Sequence, residues 1–465
     1  MKPQPLPTRV IDVGSDDQSL RLHISEGECA EYVALSHCWG GHRATVTSKA
    51  TLEEHGRVIP LNASSQTFID AARVCRDLDI KYLWIDSLCI VQDDIDDWAA
   101  EAGRMSQVYH NATLTISAEG AQNAKKGLFN SEKVGSCSLR QTNFQTIWPS
   151  GNLGKVNVRI RNSAQKTQGG VDNFAHAGSL VSKSELSERA WVLQERLLSP
   201  RILHFYKEEL AWSCASVSRC ECRLDAGLTD INIFKKMKGS GVPIEVLRKE
   251  FHQEWTRLVE EFTHRKLTYI KDRLAAMSGL ARLCSEVTLD KYCAGLFEKD
   301  LAYGILWISD HHASSEVIKR NHESSPLPTW SWASTSGPVK YLDRHRSQFE
   351  RRSRGATVEP ILKILGVTMK PKGQNPFGDV GAGLLTVKGQ LLRVCPDHSG
   401  RKLRPWDDEV AAKLESQQYS ITSENRRKLE EMRESSRAMF EEMGLTFDGP
   451  VVSAHSGPTL SLIHI

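Results

Sequence analysis

Glu101 sits in a pattern that demands a chemical account. Trp98, Glu101, Met105 and Val108 recur at i, i+3, i+7 and i+10, so they share one face of a helix beginning near Asp97. A carboxylate on an apolar stripe is costly to bury; it is either paired with a cation such as Arg104, turned to a cavity, or held for chemistry. Asp86 closes the run YLWID (82–86), and Ser36, His37, Cys38, Trp39, Gly40 and Gly41 close the run YVALS (32–36). If both runs are parallel strands, these residues stand at carboxyl ends, where ligands bind in open α/β sheets. Asp86 has a plainer alternative, capping a turn. His37 and Cys38 make a poor nucleophilic pair, because neighbours on a strand point to opposite faces. Packing by Cys38 and Trp39, with ligand contact by the Gly40–Gly41 backbone, is the simpler expectation. A thiol-dependent hydrolase using Cys38 or Cys89 requires a histidine within about 3 to 4 Å of the sulfur.

Other chemistry-bearing groups point to structure. Asp93, Asp94, Asp96 and Asp97 lack the ligand spacing and glycine of a calcium loop, and helix capping by Asp96 or Asp97 is expected instead. The eleven cysteines are odd in number and irregularly spaced, which suits reduced thiols. Cys214, Cys220 and Cys222 lack the paired C-x2-C of zinc modules, so no metal is assigned. The chain has no G-x-G-x-x-G after a strand, no G-x4-GK[ST], no H-E-x-x-H and no G-x-S-x-G. Ordinary dehydrogenase, P-loop, zincin and serine-hydrolase readings lose their main support. The tryptophans of TWSW (329–332) and AWS (211–213) read as core rather than a base-stacking platform, because no basic stripe interleaves them.

The elements that must position these residues follow from periodicity. YVALS and YLWID read as buried strands, with a helix over Thr67–Leu78 between them carrying Phe68, Ala71, Ala72, Cys75 and Leu78 on one stripe. The helix from Trp98 to Tyr109 leads to a third strand in ATLTIS (112–117). Alternation of this kind predicts a parallel, flavodoxin-like sheet with helices on both faces. Residues 120–185 read as an irregular insertion with a strand near KVNVRI. ERAWVLQERLLSP is helical up to Pro200, and RILHFY and ELAWSC form a hairpin. Helices are expected over 244–264, 273–284 and 292–307, paired strands in TVEPILKILGVTMK and GLLTVKGQLLRVC, and an exposed charged helix over 407–443. This divides the chain into a lead-in (1–31), an α/β domain (32–215), a mixed α+β extension (216–400) and a charged tail (401–465).

Bulk properties narrow the class. The 465 residues leave room for about three domain-sized units, and 60 Lys plus Arg against 57 Asp plus Glu gives a net charge of +3. Ordinary globular usage, 40% hydrophobic and 25% charged, argues against gross disorder and a dominant polyanion partner, so no nucleic acid is expected. No stretch approaches a membrane span, and MKPQPLPTRVIDVGSDD has proline and aspartate where a signal peptide needs its apolar region. A cytoplasmic protein without membrane contact is expected.

YVALSHCWGG, IPLNASSQTFIDAARVCRDLDIKYLWIDSLCIVQDDIDDWAAEAGRMSQVYHNATLTISA, GLF, ERAWVLQERLLSPRILHF and LPTWSWAS closely resemble the fungal heterokaryon incompatibility (HET) domain family. The resemblance covers 32–215, and RKLTYIKDRLAAMSGLA with YCAGLF resembles the extension such proteins carry. It implies fungal non-self recognition signalling that ends in growth arrest or cell death, through protein partners. The family is remotely similar to TIR domains, some of which cleave NAD with the glutamate of a W-C-x-x-E motif. Trp98-Ala99-Ala100-Glu101 keeps the tryptophan and the glutamate, with alanine where cysteine stands. Two functions follow from the resemblance. In one, Glu101 is the catalytic residue of an NAD glycohydrolase, with Ser36, Trp39, Gly40, Asp86 and Trp98 lining the substrate pocket, NAD as substrate and no resident cofactor. In the other, the same fold is a non-catalytic homotypic module that recruits death effectors.

Overall fold

A computed structural model describes residues 3–17, 19–40, 45–61, 65–129, 141–147, 153–159, 184–206, 210–220, 244–309, 327–341, 362–373, 375–388, 394–396 and 403–405. One unit holds residues 1–360 and 364–387, and a second holds 361–363 and 388–465.

The first unit is built on a mixed eight-stranded sheet. Its strands are β1 (Arg9–Asp12), β2 (Arg21–Ile24), β3 (Tyr32–Ser36), β4 (Tyr82–Trp84), β5 (Leu114–Ser117), β6 (Arg201–Phe205), β7 (Leu210–Cys214) and β8 (Ser218–Cys220). They lie in the order β8-β7-β6-β5-β3-β4-β1-β2. β4, β3, β5 and β6 are parallel neighbours; the β1–β2 hairpin and the β7–β8 pair extend the sheet with antiparallel edges. Within the parallel core the chain leaves β3 for β4 on one side and returns to β5 on the other. The order therefore reverses between β3 and β5, where Ser36 pairs with Ser117.

Every residue of β3 and β5 is buried, which requires cover on both faces of the sheet. Among the described residues the helices of this unit include α1 (Leu52–Arg57), α2 (Gln66–Asp77), α3 (Asp86–Cys89), α4 (Ile95–Asn111), α5 (Ala190–Leu198), α6 (Ile244–Thr263) and α7 (Ser278–Thr288). α2 buries Phe68, Ala71, Ala72 and Cys75 as its stripe predicts, but Leu78, the last residue of that stripe, lies past the helix end and is exposed. It stops at Asp79, whose φ of +56° lets Asp79 N–H reach Arg76 O at 3.0 Å and Ile80 N–H reach Cys75 O at 2.9 Å, a Schellman ending with aspartate in the usual glycine place. α4 starts three residues before the expected Trp98. Its cap is Asp94, accepting from Asp96 N–H at 3.0 Å and Asp97 N–H at 3.3 Å, rather than Asp96 or Asp97 themselves. Asp97 is turned inward and pairs with the buried Arg9 at 2.6 Å.

The stretch expected as a helix over 292–307 is a correction. Tyr292–Cys293 and Leu296–Phe297 form a two-stranded hairpin, followed by a short helix at Leu301–Gly304 and a strand at Trp307–Ser309. Ala294 and Gly295 adopt φ of +46° and +96°, which suits a tight hairpin turn and breaks a helix. Helix α7 likewise begins at Ser278 and not at 273, because Ile270–Asp272 and Ala275–Met277 wind as 3-10 turns. The insertion contributes a hairpin of Gln141–Ile147 with Leu153–Arg159, and Lys363–Pro371 pairs with Val380–Lys388. Trp330 and Trp332 are buried, and Trp332 Nε1–H donates to Gly295 O at 2.8 Å. In the second unit Val394–Pro396 pairs antiparallel with Leu403–Pro405. The charged helix expected over 407–443 lies outside the described residues.

Candidate functional site

The carboxyl ends of β3 and β4 gather a buried polar cluster. Asp86 Oδ2 accepts from Trp39 Nε1–H at 2.8 Å, and Asp86 Oδ1 accepts from Ser87 N–H at 2.7 Å. The His37 imidazole is enclosed, with Nδ1 3.7 Å from Asp86 Oδ1 and Phe68 edge-on at 5.1 Å between ring centres. Neither ring nitrogen has a hydrogen-bond partner among the described residues. Burial pushes the imidazole down to about 4, against the opposing pull of Asp86, so the ring is neutral near pH 7. Gly40 turns the chain beyond the end of β3 with φ of +71°, and a Cβ there would stand 2.2 Å from Asn123 Cβ. Only glycine fits.

Helix α5 brings a second carboxylate to this end of the sheet. Glu195 is buried, and loss of hydration raises its carboxyl to about 7, an effect moderated by the Ser36 hydroxyl, the Arg189 guanidinium and the Tyr109 hydroxyl and reinforced by Asp86. Tyr109 O–H donates to Leu35 O at 3.2 Å, while Ser36 Oγ makes no hydrogen bond of good geometry among the described residues. Arg189, just before α5, donates to the His37 carbonyl. A cation, a hydroxyl pair and two carboxylates thus converge where the strand order reverses. Such a set can hold a polyhydroxylated ligand and stabilise positive charge developing beside it.

Nearby Glu119 is of a different kind. It accepts from Ser117 Oγ at 2.9 Å and His204 Nδ1 at 3.2 Å, as well as from Ser184 and Arg196. These partners overcome its burial and hold the carboxyl down at about 2. With its oxygens fully engaged, it ties β5, α5 and β6 together.

The expected residues do not all meet. Trp39 and Asp86 are hydrogen-bonded, Gly40 adjoins Trp39, and Ser36 faces Glu195. Glu101 is 2% exposed on α4, and its Oε1 accepts from Thr8 Oγ1 at 2.8 Å and Arg104 Nη1 at 3.1 Å. It lines a separate cavity of about 500 Å³ between α4 and Pro5–Thr8, with Tyr32 and Asn111 also in its wall. Trp98 is half-buried one turn before it. The cavity contains none of Ser36, Trp39, Gly40 or Asp86. Cys38 packs with Leu186 and Val192, and burial pushes its thiol up to about 11 and that of Cys89 to about 12. Both are poor nucleophiles. Among the described residues no group of three or more His, Cys, Asp or Glu is arranged to hold a metal ion.

Residues 32–195 match the family model described as heterokaryon incompatibility protein (HET). This segment is a HET domain. Its match implies a function related to heterokaryon incompatibility. It spans the cluster from Ser36 on β3 to Glu195 on α5. No curated protein and no solved structure matches the chain. Among the described residues no helix is long and apolar enough to cross a membrane.

Glu195, Arg189 and Tyr109 carry no functional expectation from the sequence, and His37 enters there only as a poor partner for Cys38. A signal exists in AWVLQERLL, where Gln194, Glu195 and Arg196 interrupt an otherwise apolar helix and place a carboxylate among apolar residues, as at Glu101.

Proposed function

We propose that this chain acts in fungal non-self recognition, triggering growth arrest or cell death, and that its HET domain does so by hydrolysing the nicotinamide–ribose bond of NAD. The observation that carries this reading is the convergence of Glu195, Ser36, Tyr109, Arg189 and Asp86 at the strand-order reversal. The parallel order of β4, β3, β5 and β6 supports the resemblance to TIR domains from which NAD chemistry is inferred. The C1′–N1 bond breaks with its electron pair passing to the nicotinamide ring, which leaves neutral, so the leaving group needs no acid. Glu195, in its ionised form, stabilises the oxocarbenium character at C1′ and holds a ribose hydroxyl. Water then adds to C1′ and gives its proton to the carboxylate. Trp39, with Gly40 next to it in the chain, adjoins Asp86, whose side chain is 23% exposed. NAD is here a substrate; the partners are proteins of the incompatibility pathway and the location is cytoplasmic.

Glu101 takes a supporting place in this reading, because Thr8 and Arg104 already hold it against the N-terminal segment. Expression in fungal hyphae tests the function. Wild-type protein lowers cellular NAD and arrests growth, Glu195→Gln does neither, and Glu101→Gln keeps both effects. Arrest by the Glu195→Gln protein with NAD undiminished supports instead the homotypic interaction module.

A further inference from the structure

The HET match ends at Glu195, yet the segment that delivers Arg189 and Glu195 is gripped from both sides by residues beyond it. On one side the chain after α6 runs beside residues 187–190. Ala190 N–H donates to Lys266 O at 2.9 Å, Lys266 N–H donates to Glu188 O at 2.5 Å, and Arg189 and Lys266 form a parallel β-bridge. Arg265 reinforces this by donating from Nη1 to Ser187 O at 2.6 Å and to Arg189 O at 3.5 Å. Its own guanidinium is steadied by Glu261 at 2.6 Å.

On the other side α7 meets α5 and α4 at one point. Gly279, in the first turn of α7, donates its N–H to Gln194 Oε1 at 3.0 Å. A Cβ on Gly279 would stand 2.1 Å from Ser106 Cβ and 2.6 Å from Gln194 Oε1, so the three helices touch there with no room for a methyl group. Gln194 is fully buried and directly precedes Glu195. A shift of α7 or of residues 262–266 therefore displaces the short helix that carries the carboxylate.

We infer that Arg265 and Gly279 are positioning residues for the polar cluster, so that the extension holds in place the segment that brings Arg189 and Glu195 to it. Arg265 fixes the backbone that aims Arg189 at the His37 carbonyl, and Gly279 fixes Gln194 and, one residue on, Glu195. A signal that moves the extension reaches the carboxylate directly through these contacts. The inference rests on this cluster being the functional site proposed above.

The test reads Glu195 itself and not NAD turnover, so failure of the NAD reading leaves it standing. The protonated-carboxyl infrared band is followed against pH in the full chain, with Glu195 isolated by subtracting the Glu195→Gln spectrum. In wild type the Glu195 band titrates near 7. In Arg265→Gln, which adds no volume, and in Gly279→Ala, the midpoint falls by about one pH unit as water gains access. Gly103→Ala on α4, where a Cβ would meet nothing closer than Asn375 Nδ2 at 3.9 Å, leaves it unchanged. If Gly279→Ala fails to fold, Arg265→Gln decides alone. A midpoint unmoved in the folded variants, or equally moved by Gly103→Ala, overturns the inference.

Discussion

Replacing Glu195 by Gln should stabilise the protein in a pH-dependent way. The carboxyl titrates near 4.5 in an unfolded chain and at about 7 in the fold. Its folded value is raised, so Glu195 costs nothing below pH 4.5, and the fold loses stability as pH rises to 7. Ionising it in place costs about 3 kcal/mol at pH 8, at roughly 1.4 kcal/mol for each pH unit of difference. His37 acts in the overlapping window with the opposite sign. Its imidazole is held down at about 4 against an ordinary 6.5, so the unfolded chain takes up its proton first, and stability is lost as pH falls from 6.5 through 4. That contribution is also about 3 kcal/mol. The two nearly cancel in wild type between pH 4.5 and 6.5, whereas Glu195→Gln removes one and leaves the rise due to His37 exposed. Arg189 and Asp86 face both groups and act on both proteins alike. Denaturant unfolding at pH steps from 4 to 8 measures the difference. Glu195→Gln should match wild type near pH 4 and exceed it by about 3 kcal/mol at pH 8. A difference that does not change with pH, or a variant weaker than wild type at pH 8, refutes the reasoning.

Other perturbations test neighbouring parts of the account. Glu119→Gln leaves Arg196 nearly buried without its counter-charge and should cost about 3 to 5 kcal/mol in denaturant unfolding at pH 7. Because the Glu119 carboxyl is held down at about 2, the stability it supplies is present above its ordinary value of 4.5 and should be lost as acid titration carries pH from there toward 2. Gly40→Ala imposes a left-handed conformation and a 2.2 Å overlap with Asn123, whereas Gly27→Ala imposes only the first, with nothing within 4 Å; thermal unfolding should show the Gly40 variant losing at least twice as much. Trp39→Phe deletes the 2.8 Å donor to Asp86 and should cost about 1 kcal/mol while leaving far-UV circular dichroism unchanged.

The parallel core was legible because its signals are local. YVALS, YLWID and ATLTIS are short apolar runs with helical stripes between them, and each became a strand of the central sheet. The edges were not. RVID and RLHI join the sheet as β1 and β2, a pairing set by register against β4 that no local pattern announces. Tyr292–Phe297 reads as helix by its apolar content, but the left-handed Ala294–Gly295 pair decides for a hairpin. The burial of Glu101 was foreseen from its stripe, and so was its pairing with Arg104 as one alternative; the separate cavity was not, because it is made by Pro5–Thr8, far away in sequence. Glu195 escaped for the same reason, since its importance comes from Ser36, Asp86 and Tyr109, residues 86 to 159 positions earlier.

Nicotinamide release by the purified full chain at high protein concentration, comparing wild type, Glu195→Gln and Glu101→Gln, tests the central claim most directly. The account predicts release by wild type and by Glu101→Gln and none by Glu195→Gln, all three with the same circular dichroism. Release that survives Glu195→Gln and vanishes in Glu101→Gln would contradict the assigned carboxylate, and no release by the wild type would contradict NAD hydrolysis itself.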